Sequence, residues 1–334
     1  MFANQFAPND GRLNILYLAP EPEYKKSDAF IIQYGSEIFT IDGGMSGSHC
    51  MNDRLMQIRA EFLKDHPELI DDTSCKLRIG CFISHYHTDH VFALIDPTAL
   101  NEYISISNVY HGPATKVDPE INKVSKNGDE IFRPRLEEVL REHHTDCKVT
   151  EVDYGKENAI SFRTHSGLEH EVEFTCLPPS ADWGIGERYE YMKAHYDIVE
   201  KPQRTNLYTL NSSSMWVHIR LGANTFLFTG DTIKRRGDLF DEALDEMTAL
   251  YAEEYSPVTV LKYVHHGLSR ENAVADMLRF KPSNIVFTSA YATAPNEIRE
   301  TAPEESLGIG FFSGGKSDLT VECSAKSDVS FTQQ

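Results

Sequence analysis

The sequence predicts a layered α/β fold in one domain, and three observations carry that expectation. Short apolar and β-branched runs alternate with stretches of helical periodicity in both halves of the chain. No Gly/Ser- or Pro-rich linker, internal repeat or low-complexity segment interrupts them. The 334 residues, 40% hydrophobic and 25% charged, suit a folded globular chain of one large domain or two small ones, and the unbroken alternation selects one.

Residues 13–18 are an apolar run closed by Ala19-Pro20 and read as a strand. Residues 29–34 and 37–41 flank Gly35-Ser36 as a hairpin. Over 51–63, Leu55, Met56, Ile58 and Phe62 recur near helical spacing. Residues 77–84 form a strand that runs directly into a histidine cluster. A strand over 103–110 precedes a helix over 134–144, opened by Pro134 in its first turn. Residues 148–153 and 171–177 alternate as strands. From 178 to 204 the chain is an irregular aromatic-rich insertion, read as a packed connection before a substrate lid. Strands follow over 215–221 and 225–229, around Gly222-Ala223-Asn224. A helix over 237–251, a strand over 258–264, a helix over 270–280 and a strand over 284–289 restore the rhythm. Residues 319–322 and 329–331 close a sheet edge.

Charge narrows the function. Thirty-two Lys and Arg against 51 Asp and Glu leave a formal charge of −19, which repels polyanions. A long nucleic-acid track and an anionic membrane are therefore disfavoured partners. No run of 18 apolar residues marks a membrane-spanning helix, and Met1-Phe2-Ala3-Asn4-Gln5 lacks the character of a signal peptide. Cys50, Cys75, Cys81, Cys147, Cys176 and Cys323 are scattered without CxxC pairing. They read as reduced thiols, and the expected location is cytoplasmic.

The chemistry concentrates at residues 84–90, Ser-His-Tyr-His-Thr-Asp-His. His85, His87, Asp89 and His90 are four metal-ligand types within six positions after an apolar strand. On an extended loop His85 and His87 project to one side and grip one ion. Asp89 and His90, displaced as the chain enters a helix, reach a second, about 3.5–4 Å away in two-metal sites. Tyr86 and Thr88, inside the cluster, serve packing and capping. Two later strand ends complete the set: Asp231 after 226–229, and His265-His266-Gly267 after 258–264. Asp231 is placed to bridge two cations.

These residues carry a resemblance to the metallo-β-lactamase-fold hydrolases, whose H-x-H-x-D-H signature is met by His85, His87, Asp89 and His90. The strand 39–41 followed by Asp42-Gly43-Gly44 resembles the family's Asp-Gly-Gly, with Asp42 implied as the acceptor that orients a ligand histidine. Ser27-Asp28 before an apolar run, residues 211–214, Thr229-Gly230-Asp231 and residues 261–267 are similar to one branch. That branch holds competence-type DNA-uptake nuclease domains and phosphorylcholine esterases. The resemblance implies a four-layer αββα sandwich over the whole chain, with metals at one edge of the sheets. It favours His266, before Gly267, as a ligand, with His265 protonating the leaving group or binding a phosphoryl oxygen. A further family histidine has only positional counterparts here, His111, His165 and His170, and a water or the substrate can take its place.

The expected function is a binuclear, metal-dependent hydrolase of a small phosphodiester, using two divalent ions, zinc or manganese, to make water reactive. His265 and Asp89 are its expected catalytic side chains. No Gly-x-Ser-x-Gly elbow offers a serine alternative. Lys262 and Ser269 flank the histidine pair as structural or solvated residues, and Lys234-Arg235-Arg236 is the basic run beside Asp231. Single-stranded nucleic acid cleavage, hydrolysis of a lactone or thioester, and metal binding without catalysis are the alternatives, in that order.

Overall fold

A computed structural model describes residues 10–19, 26–45, 50–67, 70, 75–95, 102–113, 129–180, 211–233, 241–268, 273–306, 308–315 and 317–333. The first half supplies β1 (Arg12–Tyr17), β2 (Phe30–Tyr34), β3 (Glu37–Ile41), β4 (Leu77–Ile83), β5 (Ile104–His111) and β6 (Lys148–Glu151). Helices α1 (Cys50–Asp65), α2 (Thr88–Ile95) and α3 (Asp129–His143) lie among them. The rest supplies β7 (Ile160–Arg163), β8 (Glu173–Leu177), β9 (Trp216–Leu221), β10 (Asn224–Phe228), β11 (Val260–Lys262) and β12 (Asn284–Phe287). It also contains α4 (Asp241–Tyr255), α5 (Val274–Leu278) and α6 (Ala294–Thr301), then β13 (Gly310–Ser313), β14 (Leu319–Ser324) and β15 (Ser330–Gln333).

The strands form two sheets, ordered β15-β14-β1-β2-β3-β4-β5-β6 and β13-β12-β11-β10-β9-β8-β7. Side-chain alternation sorts each strand between two layers. On β1, Leu13, Ile15 and Tyr17 enter the layer between the sheets, while Leu16 faces the layer under α1, α2 and α3. On the second sheet Phe226 and Phe228 face inward, and Leu227 packs outward with α4 residues Leu244, Met247 and Tyr251. Three apolar layers thus separate helices, sheet, sheet and helices, the αββα order that the sequence resemblance implies. Phe174 joins the sheets, its ring centroid 4.6 Å from Phe39, 5.4 Å from Phe82 and 5.3 Å from Phe162.

The topology decides where chemistry collects. Strands β3 to β6 are parallel, as are β10 to β13, so their carboxyl ends share an edge within each sheet. Strand β2 runs antiparallel to β3 with Phe30 opposite Ile41, which puts the residues before β2 at that edge too. Ligands of open α/β sheets characteristically bind outside such strand ends.

Several expectations shift. Helix α3 starts at Asp129, so Pro134 lies inside it and removes one backbone hydrogen bond instead of opening the first turn. The strand expected over 258–264 is only Val260–Lys262, because left-handed backbone at His265 and His266 bends the chain away. Helices α4 and α5 occupy 241–255 and 274–278, against 237–251 and 270–280 expected; residues 237–240 and 270–272 lie outside the described residues. So does the insertion from 181 to 204. Strands β7 and β13 and helix α6 were not anticipated. The alternation Ile160-Ser161-Phe162-Arg163 was the available signal for the first.

Among the described residues no helix is long and apolar enough to cross a membrane, and all six cysteines are free thiols.

One buried histidine makes the fold acid-sensitive. His144 Nδ1 accepts the Ile106 N–H at 3.2 Å, which requires that nitrogen unprotonated. Burial, then Lys76 and His143, push its pKa down to about 4. A folded-state pKa below the unfolded value means full stability above pH ~6.5, lost as pH falls toward 4. Urea unfolding from pH 7 to 4.5 is expected to show this loss, with the His144→Asn protein recovering about 1 kcal/mol of it after allowance for solvent screening. Parallel profiles for the two proteins would refute the assignment.

Candidate metal centre

Two carboxylates at this edge each grip a histidine. Asp42 follows β3 with φ 55°, a left-handed conformation that Asp tolerates better than most residues. Its Oδ1 accepts the Ser84 N–H at 2.8 Å; its Oδ2 accepts the Ser84 hydroxyl and lies 2.8 Å from His90 Nδ1. Asp28, just before β2, does the same for His266: its Oδ1 lies 3.0 Å from His266 Nδ1 and accepts the Thr288 hydroxyl at 2.6 Å. A carboxylate only accepts here, so each Nδ1 is the donor and each Nε2 is left as the basic nitrogen. Both Nε2 atoms face Asp231 Oδ2, His90 at 3.3 Å and His266 at 3.0 Å.

The backbone is bent to achieve this. Gly230 turns the chain after β10 with φ 53°, and a Cβ there would lie 2.8 Å from Ser214 Cβ and 3.1 Å from Ser84 Cβ. Only glycine fits. Ser214 Oγ accepts the Asp231 N–H at 3.2 Å and lies 3.3 Å from His85 Nδ1. After β11, left-handed backbone at His265 (φ 43°) and His266 (φ 60°) splits the adjacent pair. His266 is fully buried, while His265 keeps 19% of its side chain exposed with Nε2 3.9 Å from Asp231 Oδ2.

The loop from β4 to α2 completes the cluster. His85 Nε2 and His87 Nδ1 face each other at 3.0 Å, close to the ~3.3 Å bite of two nitrogens about 2.05 Å from one tetrahedral ion. Asp89 Oδ2 lies 3.6 Å from His266 Nε2 and 3.0 Å from Lys26 Nζ. Donor atoms of Asp89, His90, Asp231 and His266 all fall within 4.8 Å of one another. Buried Nε2 atoms of His87, His90 and His266, and Asp231 Oδ1, have no hydrogen-bond partner. Buried imidazole nitrogens and a carboxylate oxygen that converge without hydrogen-bond partners suit a metal ion displacing any proton on them, so the donor set fits zinc or a similar divalent cation.

Burial disfavours charge on all these groups, and neighbours decide the outcome. His87 is pushed down to about 3, chiefly by burial, and His85 is held well below the ordinary value by burial with His90 and His87. At His266, burial is outweighed by Asp231 and Asp28, which raise it to about 9. At Asp231, burial is outweighed by His266, His90 and His265, which hold its carboxyl well below the usual range.

All eight residues singled out by sequence as ligands, acid or orienting acceptor (His85, His87, Asp89, His90, Asp231, His266, His265 and Asp42) thus gather at one edge. Tyr86 is buried with the core under α2, as expected of a packing residue. His111, at the end of β5, shares the edge but its Nδ1 bonds the Gly112 carbonyl at 2.8 Å. His165 and His170 are elsewhere: the His165 N–H bonds Glu37 at the start of β3, and the His170 carbonyl accepts the Tyr34 hydroxyl. Both lie at the opposite end of the strands. Lys234, Arg235, Arg236 and Ser269 lie outside the described residues.

Sequence reasoning gave Asp28 no role and treated Lys262 as structural or solvated. Lys262 is fully buried, with its ammonium on the Asp28 carboxylate, donating to the Gly230 carbonyl at 2.6 Å and standing 3.5 Å from Asp231 Oδ1. A lysine inside an apolar strand was the signal, since a buried ammonium requires a partner.

No protein-family profile and no curated protein matches the chain. Solved structures similar to it include the metallo-β-lactamase fold protein YhfI from Bacillus subtilis, 11% identical over 94% of this chain and 100% of that one, with a TM-score of 0.46. A diphosphatase of the PhnP family is 11% identical over 94% and 98%, with a TM-score of 0.42. Zn(2+)-bound PqqB from Methylobacterium extorquens is 11% identical over 92% and 99%, also at 0.42.

Removing one partner of the buried Lys262–Asp28 pair leaves an uncompensated charge. The Lys262→Met protein is expected to lose about 3–5 kcal/mol of unfolding free energy, and Lys262→Met with Asp28→Asn to regain most of it. Additive losses in the double variant, measured by denaturant unfolding, would contradict the pairing.

Proposed function

We propose that this chain is a metal-dependent hydrolase of the metallo-β-lactamase type that cleaves a small phosphodiester with two divalent ions, zinc or manganese. One observation carries the reading: two carboxylate-anchored imidazoles direct orphaned Nε2 atoms at one buried aspartate. His85 Nε2 and His87 Nδ1 would hold one ion, Asp89, His90 and His266 the other, and Asp231 would bridge them. When bound, such ions polarise the substrate and lower the pKa of water from 15.7 to about 7.

The chain's own residues account for the rest. Asp42 and Asp28 fix the tautomer and angle of His90 and His266. His265, partly exposed beside Asp231, would give a proton to the leaving oxygen. Charge favours an anionic substrate. With His90 and His266 neutral, as metal ligation requires, Asp28, Asp42, Asp89 and Asp231 are answered by the ammoniums of Lys26 and Lys262, leaving two negative charges. Two divalent ions held there would turn this deficit into a surplus of two positive charges, which a phosphodiester anion and a hydroxide would cancel. A neutral lactone or thioester leaves part of it unmatched.

Metal analysis of protein purified without chelator, paired with turnover of bis-p-nitrophenyl phosphate, tests the reading. The wild-type chain is expected to carry stoichiometric transition metal and hydrolyse the diester, and Asp231→Ala to lose both. A variant with full activity and undiminished metal would end the assignment. The His265→Ala protein is expected to keep its metal and lose about 10²-fold or more in kcat, the loss growing with the basicity of the leaving group. A loss independent of the leaving group would remove His265 as the acid.

A further inference from the structure

Lys26 meets the acidic cluster differently from Lys262. Its Nζ lies 3.0 Å from Asp89 Oδ2, yet 34% of its side chain is exposed, whereas Lys262 is sealed inside. The backbone beneath Lys26 is fixed. It forms a β-bridge with Ser289, whose N–H donates to the His266 carbonyl at 3.3 Å. Two residues on, the Asp28 N–H donates to the Asp89 carbonyl at 3.2 Å. Residues 26–28 are therefore strapped between the start of α2 and the turn after β12, with the lysine ammonium on Asp89 and a third of its side chain exposed. Among the described residues, Lys26 and His265 are the two basic side chains that touch this cluster and also reach solvent.

Asp89 Oδ2 has two claims on it. It belongs to the donor group with His90, Asp231 and His266, and it holds the Lys26 ammonium. Were Asp89 to serve as a ligand to a divalent cation in that group, its charge would be shared with the cation and the neighbouring Lys26 ammonium would be repelled. A flexible four-carbon stem with access to solvent lets Lys26 move while its backbone stays in place. A released ammonium would then be free to meet an anion from the solvent side of the cluster.

We propose that Lys26 is an anion handle, parked on Asp89 until a cation fills the donor group and then gripping a non-bridging oxygen of the bound phosphoester. The proposal rests on the phosphoester reading above and names the residue that separates such substrates from neutral esters. A neutral ester offers no anionic oxygen for Lys26 to hold.

The test compares metal-loaded wild type, Lys26→Met and Lys26→Arg. Calorimetry gives the affinity for inorganic phosphate, kinetics give kcat/KM for bis-p-nitrophenyl phosphate and for p-nitrophenyl acetate, and elemental analysis gives metal content. Lys26→Met is expected to bind phosphate at least tenfold more weakly and to lower the diester-to-acetate ratio of kcat/KM by a similar factor. Its metal content stays that of wild type, and Lys26→Arg recovers most of the phosphate affinity. Unchanged phosphate affinity in Lys26→Met, an equal loss on both substrates, or a fall in metal content would each overturn the handle, as would a wild type that binds no phosphate. If phosphate weakens as expected while wild type cleaves no diester, the handle stands and the phosphodiesterase reading falls.

Discussion

Four carboxylates, Asp28, Asp42, Asp89 and Asp231, are buried in one cluster, each under 10% exposed, and the architecture around them exists to compensate that charge. Isolated buried carboxylates cost far more than a domain's net stability allows, so each needs a donor or a cation close by. Asp42 has Ser84 and His90; Asp28 has Thr288, His266 and Lys262; Asp89 has Lys26. Asp231 sits in the middle with two imidazoles aimed at one oxygen and its other oxygen without a hydrogen bond. That residual demand for positive charge is what makes the edge a metal centre in our account.

The sheets deliver these groups because parallel strands end together. Asp42 and His85 follow β3 and β4 in one sheet, and Asp231, His266 and Thr288 follow β10, β11 and β12 in the other. The aromatic layer around Phe174 ties the two sheets together, so side chains far apart in sequence meet at one edge. Left-handed residues at Asp42, His265 and His266 then aim individual side chains into the cluster.

Much of this was legible in sequence, for identifiable reasons. Apolar strands that stop abruptly at His, Asp or Gly-Asp announce both the strand and the exposed edge, so β4, β10 and their ligands were readable together. The acceptor role of Asp42 was reachable through its Asp-Gly-Gly context. Asp28 was not, because its partners, His266 and Thr288, lie 238 and 260 residues away and no local pattern links them. Lys262 was left between structural and solvated because a charge beside a motif is ordinarily one or the other, and only the sheet shows that this one is enclosed. The short helix α5 and strand β11 were over-extended, since periodicity cannot foresee the left-handed turn that cuts β11 short. His165 and His170 were kept open by sequence position alone; the topology sends them to the other end of the strands.

The account stands on a cation shared by Asp231 and the carboxylate-anchored histidines. Anomalous diffraction at a transition-metal edge, on crystals of protein purified without chelator, observes that cation directly. We expect a peak within about 2.0–2.2 Å of an Asp231 oxygen and of Nε2 of His90 or His266. Electron density showing Asp231 bonded only to protonated imidazoles, with no anomalous signal at the edge, would contradict it.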